Sequence, residues 1–322
     1  MSHLIYSLNA TLPIFLMMVV GYFLRYKKLL GPEFIQNANT LNFKVTLPIL
    51  IFLDISSSDI VSKWDTIYIL FCAISTTIIF FVIWGIAKRV LKDKSLIGAF
   101  VQGSFRSSAA ILGIAFIQNM YGDSGMASLM IIGTVPLFNI YSVIVLTFEG
   151  NTKDSQAGVM KKVKAALLNI CTNPLIIGIV AGFIFSLIPI EFPFIINKTL
   201  SNIAAIATPL ALLTLGAGFE GKKALAKLKP TIAASIIKLV LLPLFFIPIA
   251  CLLGFRDEKL VALLIMLASP TTVSCYIMAE NMDNDGVLTS SIIVATTFLG
   301  AFTMTGWIYF LRVFQFIADT TL

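Results

Sequence analysis

Residues 267–283 read LASPTTVSCYIMAENMD, which places a proline in the middle of an otherwise apolar stretch. Proline in a helix interior removes one backbone hydrogen bond, and its ring clashes with the carbonyl group four residues earlier. In a bilayer the freed carbonyl groups have no water to bond, so irregular backbone persists there only where it is buried in protein or lines a watery cavity. Hydroxyl side chains on both sides of Pro270 suit such a lining. The stretch therefore predicts a broken membrane helix.

The composition of the whole chain is that of a membrane protein. Its 322 residues are 58% hydrophobic and 12% charged, with a mean hydropathy of +0.96, whereas soluble domains carry about a quarter charged residues. Fifteen of the 23 lysines and arginines lie in alternate short connections, at 25–28, 88–94, 153–164 and 222–229. That asymmetry follows the positive-inside rule and places these basic loops in the cytoplasm. The net charge of +7 is therefore no sign of nucleic-acid binding.

The apolar segments predict an all-α integral membrane domain. A membrane-spanning helix needs about 20 apolar residues, and ten segments are read here. The first is uncharged from Leu4 to Leu24 and its basic residues follow it, so we expect a retained helix and not a signal peptide. Ten spans with cytoplasmic basic loops leave both termini outside the cell membrane. The segments are about 4–24, 34–56, 66–88, 95–120, 125–148, 165–188, 194–217, 231–254, 259–280 and 286–312.

The two halves of the chain resemble each other at matched positions. Five helices per half is an odd number, so the second copy enters the membrane upside down, as in secondary transporters. We expect a first inverted repeat at 1–150, a short cytoplasmic linker at 151–163 and a second repeat at 164–322. The matches are Pro13, Gly21 and Pro48 with Pro174, Gly182 and Pro209 at an offset of 161, and Asn119, Met120 and Asp123 with Asn281, Met282 and Asp285 at an offset of 162.

The repeat gives the broken stretch a partner, GSFRSSAAILGIAFIQNMYGD at 103–123, in which Ser108 falls opposite Pro270. Paired, interrupted helices in corresponding positions indicate the substrate site of a transporter. The N-terminal ends of half-helices offer free N–H groups and a partial positive charge to an anion. The predicted substrate-binding residues are Arg106, Ser107, Ser108, Ser269, Pro270, Thr271, Thr272 and Ser274.

Four stretches also resemble the auxin efflux carrier family, which includes plant auxin exporters and bacterial permeases for malate and related carboxylates. They are ILGIAFIQNMYGDSGMASLM (111–130), NPLIIGIVAG (173–182), TPLALLTLGAGF (208–219) and ASPTTVSCYIMAENMDND (268–285). The resemblance implies ten helices in two inverted repeats, with the fourth and ninth helices broken and crossing near the midplane. It also implies a homodimer whose scaffold, made of helices one, two, six and seven, moves against a transport bundle.

The chain departs from this family pattern in its fourth segment. Members commonly carry a substrate-binding asparagine where Ser108 stands, and a proline where Ala115 stands. A serine is shorter and has fewer donors than an asparagine. The resemblance therefore implies the fold more firmly than it implies the substrate.

Two basic residues inside predicted spans leave alternatives open. Arg106 is the only charged residue between Ser95 and Gly122, and a guanidinium within hydrocarbon is costly unless it faces a cavity or a partner. It either clamps a carboxylate or braces a helix-end carbonyl or an acid. Lys238 lies about 10 Å into the eighth segment. It either serves as a site cation, standing in for a bound sodium, or snorkels to the interface.

Four further positions are predicted to couple or support transport. Asp59 resembles an acid of plant members and would suit proton coupling, although most acids at helix ends are simply solvated. Glu280 either lines the inner exit or caps the next helix. Pro48 and Pro209 are symmetry mates, and we expect them to shape the scaffold beside the site without touching the substrate.

The sequence argues against enzymes and pumps. His3 is the only histidine and lies near the N-terminus, so no histidine-based triad or zinc site can form within the membrane. There is no GxxxxGK[ST] phosphate loop, and no cofactor or metal is expected. The sequence favours a secondary transporter for a small organic anion, malate-like or auxin-like, with the coupling ion (proton or sodium) left open. The alternatives are a sodium-coupled carrier of larger organic acids and a non-transporting membrane sensor.

Overall fold

The computed structural model describes residues 2–56, 65–109, 117, 120–121, 125–150, 168, 171–187, 192–219 and 221–318, with the backbone alone at 2–12 and 14. No residue in these ranges lies in a β-strand, which confirms the predicted all-α class. Besides a short helix at Gly221–Ala226 and a 3₁₀ turn at Lys94–Leu96, the helices are α1 (Ser2–Tyr26), α2 (Pro32–Ser56), α3 (Thr66–Val90), α4 (Ile97–Phe105), α5 (Gly125–Glu149), α6 (Pro174–Leu187), α7 (Phe194–Gly218), α8 (Leu228–Leu252), α9 (Asp257–Ala268), α10 (Ser274–Asn281) and α11 (Gly286–Val313).

Six of the described helices are long and apolar enough to cross a membrane: α2, α3, α5, α7, α8 and α11. Large apolar side chains such as Leu244 and Phe245 remain 55% and 63% exposed. In a membrane protein such a surface faces lipid, so the chain is embedded in a bilayer. The ten-span count, the inverted repeats with their boundaries and the orientation of the termini stay predictions.

Two of the long helices contain a π-turn. In α2 it covers Asn42–Thr46, and in α8 it covers Ile237–Leu241. A π-turn widens the helix locally and is frequent at functional sites. The turn in α8 carries Lys238, whose side chain is fully buried.

Close backbone contacts join α1 to α7 and α2 to α6. A Cβ atom added at Gly216 would lie 1.9 Å from the Met18 carbonyl oxygen, and one added at Gly21 would lie 2.2 Å from that of Leu213. A Cβ atom added at Gly178 would lie 2.6 Å from the Pro48 carbonyl oxygen. Membrane helices associate largely through small residues that let their backbones approach. Because α2 also packs on α7, these four helices form one continuous group, which we call the scaffold.

The second group of helices encloses α9. Every residue from Leu260 to Ala268 is buried, and a helix that is apolar all round belongs in a protein interior. It packs against α5, α8 and α11. The chain then leaves helical geometry at Ser269 and resumes it at Ser274. The predicted break in the ninth segment is confirmed, and it lies deep within the molecule.

Candidate functional site

Helical geometry is interrupted after α4, from Arg106, and after α9, from Ser269. We call these two non-helical stretches the breaks, and they are hydrogen-bonded to each other. Arg106 follows α4 in extended geometry (φ −84°, ψ 133°), and Ser269 follows α9 in the same way (φ −70°, ψ 156°). The Ser108 N–H donates to the Pro270 carbonyl oxygen at 3.0 Å. Ser108 and Pro270, which the repeat register pairs as equivalent positions, are therefore in direct contact.

Threonine side chains satisfy backbone groups that the breaks leave without helical partners. The Thr271 hydroxyl donates to the Gly103 carbonyl oxygen at 2.7 Å, and the Thr271 N–H donates to Thr296 Oγ1 on α11 at 3.1 Å. Unpaired backbone groups in hydrocarbon cost several kcal/mol each. These contacts allow irregular backbone to persist at this depth.

A cavity of about 140 Å³ lies where the breaks face the scaffold. An apolar cavity of about 150 Å³ accommodates benzene, so this cavity suits a molecule of similar size. One wall comes from α2 and α7, and the other from α5 and the two breaks. The polar lining consists of Asp54, Arg106, Ser107, Ser108, Asn139, Thr208, Thr272 and Ser274.

Arg106 is a buried cation on the wall of this cavity. Only 4% of its surface is exposed. Its guanidinium donates to Asn139 Oδ1 at 2.7 Å, to Ser142 Oγ at 3.4 Å and to the Met278 sulfur at 2.7 Å. Within the described part of the chain none of these partners is a carboxylate. Neutral groups orient Arg106 and leave its charge uncompensated by hydrogen-bonded acids.

Ser107 points away from the α2 wall, towards α8 and α9. Its hydroxyl contacts both the Met266 carbonyl oxygen and the Lys238 ammonium group. Lys238 also donates to the Phe105 carbonyl oxygen at 3.3 Å and to that of Met266 at 3.4 Å. A fully buried ammonium group with these partners does not snorkel to the interface.

The remaining predicted binding residues divide into two sets. Thr272 and Ser274 line the cavity together with Ser108. Pro270 and Thr271 hold the breaks in place and do not line it. Ser269 does not line it either, and its buried hydroxyl has no hydrogen-bond partner among the described residues. Pro270 packs against α11, where a Cβ atom added at Gly300 would lie 2.8 Å from its ring.

None of the predicted support residues that the structure describes lines this cavity; Lys238 lies on the opposite side of the breaks, in contact with Ser107. Glu280 lines a larger cavity of about 570 Å³ with Arg25, Asn39 and Asn281. Asp59 falls outside the described residues. Pro48 contacts α6 within the scaffold, and Pro209 lies on the exposed face of α7.

Three polar residues of the site were not predicted from the sequence. Asn139 and Ser142 on α5 accept hydrogen bonds from Arg106. The sequence feature that could have revealed them is the presence of two polar residues inside a long apolar segment. Asp54 lies near the end of α2 and was not among the predicted site residues, but it lines the cavity. Its acid and the Arg106 guanidinium therefore share one small space.

Comparisons with known proteins place the chain in a family. A model described as membrane transport protein matches residues 6–308. An uncharacterized transporter of Methanocaldococcus jannaschii is 24% identical over 94% of this chain and 98% of its own length. The uncharacterized transporter YfdV of Escherichia coli is 23% identical over 96% of this chain and 99% of its own length. Both relatives are named as transporters and not as enzymes, and the chain belongs to the membrane transport protein family, the transporters similar to auxin efflux carriers.

Proposed function

We propose that this protein is a secondary transporter that carries a small organic anion through the cavity between the breaks and the scaffold. The proposal rests mainly on the environment of Arg106, a buried guanidinium on the cavity wall. In the part of the chain that the structure describes, all of its hydrogen-bond partners are neutral. A buried cation without an anionic partner costs several kcal/mol. A bound carboxylate would supply that partner, and arginine pairs with carboxylates in bidentate geometry.

A second feature of the same wall also favours an anion. Thr272, Val273 and Ser274 line the cavity, and α10 begins at Ser274 with Val273 as its N-cap. The N-terminal end of a helix carries about half a positive charge. The hydroxyl groups of Ser108, Thr272 and Ser274 are further donors for carboxylate or hydroxyl oxygens.

The cavity volume bears on the class of substrate. About 140 Å³ suits a short mono- or dicarboxylate such as malate, because benzene occupies a cavity of about 150 Å³. A larger acid, such as an aromatic auxin-like carboxylate, would need the cavity to widen. We therefore place short dicarboxylates first among the substrates.

The walls of the cavity suggest how the site reaches both sides of the membrane. α2 and α7 belong to the scaffold, whereas α4, α5, α9 and α10 belong to the other group. Sliding of one group against the other would open the seam between them, which is the alternating access of inverted-repeat carriers. The 570 Å³ cavity lined by Arg25 and Glu280 lies along that seam and would serve as the cytoplasmic vestibule. In this account the ten spans form two inverted repeats, and the scaffold forms the homodimer contact.

Two other functions fit less well. A sodium-coupled carrier of larger acids would need a roomier cavity and a cation site free of competing positive charge, whereas Arg106 and Lys238 both lie at the breaks. A non-transporting sensor would bind the anion in this cavity and would not carry it across the membrane.

The test is uptake of labelled malate into proteoliposomes, with and without an imposed membrane potential. We expect uptake that responds to the potential and is inhibited by short dicarboxylates more strongly than by aromatic acids. Tight malate binding without flux would support the sensor. Neither binding nor flux for any short carboxylate would overturn the proposal.

A further inference from the structure

Lys238 provides a cation at the point where the carboxyl-terminal ends of two half-helices meet. Its ammonium group is fully buried. It donates to the Phe105 carbonyl oxygen, at the end of α4, and to the Met266 carbonyl oxygen, in the last turn of α9. The third partner is the Ser107 hydroxyl. All three are oxygen atoms, and all three belong to the two broken segments.

The charges at this point balance without an acid. The last four carbonyl groups of a helix have no intrahelical partner, and together they give the end of the helix about half a negative charge. Two such ends carry about one unit charge, which the single ammonium group matches. No carboxylate is among the hydrogen-bond partners of Lys238 in the described part of the chain. The backbone is therefore its counter-charge.

Among the described residues, the helices packed around Lys238 bring no carboxylate close to it. Lys238 lies in the π-turn of α8, which packs against α4, α9 and α11. Of these neighbours, α4 contains no charged residue, and the charged residues of α9 lie in its first turn, at the other end of that helix. Carbonyl groups at half-helix ends are the groups that bind sodium in many inverted-repeat carriers. In this protein the Lys238 side chain fills the space between the carbonyl groups of the two half-helix ends.

We infer that Lys238 is a tethered cation that occupies a monovalent-cation site formed by the two half-helix ends. The inference rests on the proposed function, because it assigns the charge that the breaks need in order to carry an anion. The wild-type protein accordingly requires no sodium. Truncation of Lys238 leaves three oxygen atoms around an empty space, and a small cation from solution fills it.

The first test measures the site without any substrate. Lys238→Ala is purified in detergent, and its thermal unfolding is followed in choline chloride with added sodium, lithium or methylammonium. We expect the variant to unfold below the wild type in choline and to recover at least about 3 °C with one of the small cations, since a ligand of the native state raises Tm. The wild type and Lys198→Ala, a change at an exposed lysine, should not respond. Absence of any cation effect on Lys238→Ala overturns the inference.

The second test measures transport. Lys238→Ala proteoliposomes should be inactive in choline and regain uptake with the cation that raised the Tm. Lys238→Gln keeps a long side chain in the space without its charge, so it should fold, remain inactive and gain nothing from added cations. Sodium-dependent uptake by the wild type, or wild-type rates for Lys238→Ala in choline, would contradict the inference. If malate is not transported, the unfolding test still decides whether the cation site exists.

Discussion

The Ser108 N–H donates to the Pro270 carbonyl oxygen at 3.0 Å, and this hydrogen bond joins two broken segments that lie more than 160 residues apart in the chain. The Thr271 hydroxyl adds a second connection, to the Gly103 carbonyl oxygen. The breaks thus behave as one unit, with Arg106 on the cavity side and Lys238 on the other.

Thr271→Val should destabilise the joined breaks. The substitution keeps the shape of the side chain but removes the hydroxyl that bonds Gly103, leaving a buried carbonyl group with one partner fewer. The expected cost is about 1–3 kcal/mol, measured by thermal unfolding in detergent. Thr303→Val is the matched control, because the Thr303 hydroxyl bonds only within its own helix, at Leu299 and Gly300. Equal stability of the two variants would mean that the connection contributes nothing.

Gly216→Ala should weaken the contact between α1 and α7. The added methyl group would meet the Met18 carbonyl oxygen at 1.9 Å, so the two backbones must separate. We expect a loss of about 1–3 kcal/mol, typical of overpacking, and a lower Tm. Gly85→Ala in α3 meets no atom within 4 Å and should leave the Tm unchanged or slightly higher. A Gly216→Ala protein as stable as Gly85→Ala would show that this approach is not needed.

Asp54→Asn should strengthen substrate binding. Asp54 shares the 140 Å³ cavity with Arg106, and a carboxylate there repels an incoming anion and competes for the guanidinium group. Removal of its charge should lower the KM for malate by about tenfold, which corresponds to ~1.4 kcal/mol. The measurement is the concentration dependence of initial uptake rates. An unchanged or higher KM would show that Asp54 assists binding.

The stability of the contact at the start of α3 should depend on pH through Asp65. This residue caps α3 by accepting the Tyr68 N–H at 3.0 Å, and Lys259 donates to its carboxylate at 2.5 Å. The hydrogen bond from Lys259, followed by that from Tyr68, lowers the pKa of Asp65 below its usual range. A group with a lowered pKa in the folded state stabilises above its unfolded pKa of about 3.9. That stabilisation is lost as the pH falls through the folded value.

Asp65→Asn should therefore lower the Tm at neutral pH and have little effect under strongly acidic conditions. Because the pair is partly exposed, the expected contribution is only about 0.5–1 kcal/mol. Thermal unfolding of both proteins is compared from about pH 7 down to about pH 2, which lies well below the usual carboxyl pKa. A difference that stays constant across the range would exclude an electrostatic origin.

The sequence was informative at the two stretches in which several small polar residues interrupt the apolar pattern. Pro270 and its hydroxyl neighbours indicated the break, and the repeat register indicated the equivalent segment around Ser108. Both inferences depend on local chemistry and on spacing along the chain. The all-α class likewise follows from the length of the apolar segments.

The sequence was uninformative wherever the rotation of a helix decides the contact. The partners of Arg106 lie on α5, and only the packed structure shows which face of α5 meets the break. The direction of Lys238 depends on the π-turn in α8, which no residue pattern indicates. Asp54 lies near a helix end in the sequence, yet the packing of α2 turns it towards the cavity.

The most direct test of the account compares the transport of malate by Arg106→Gln and Arg89→Gln. The first change removes the cavity cation and keeps hydrogen-bonding capacity, and the second removes an exposed arginine at the end of α3. Loss of a buried charge partner costs at least about 2 kcal/mol, so the Arg106→Gln protein should lose about thirtyfold or more in kcat/KM while Arg89→Gln stays near the wild type. A folded Arg106→Gln protein that transports malate as the wild type does would contradict the account.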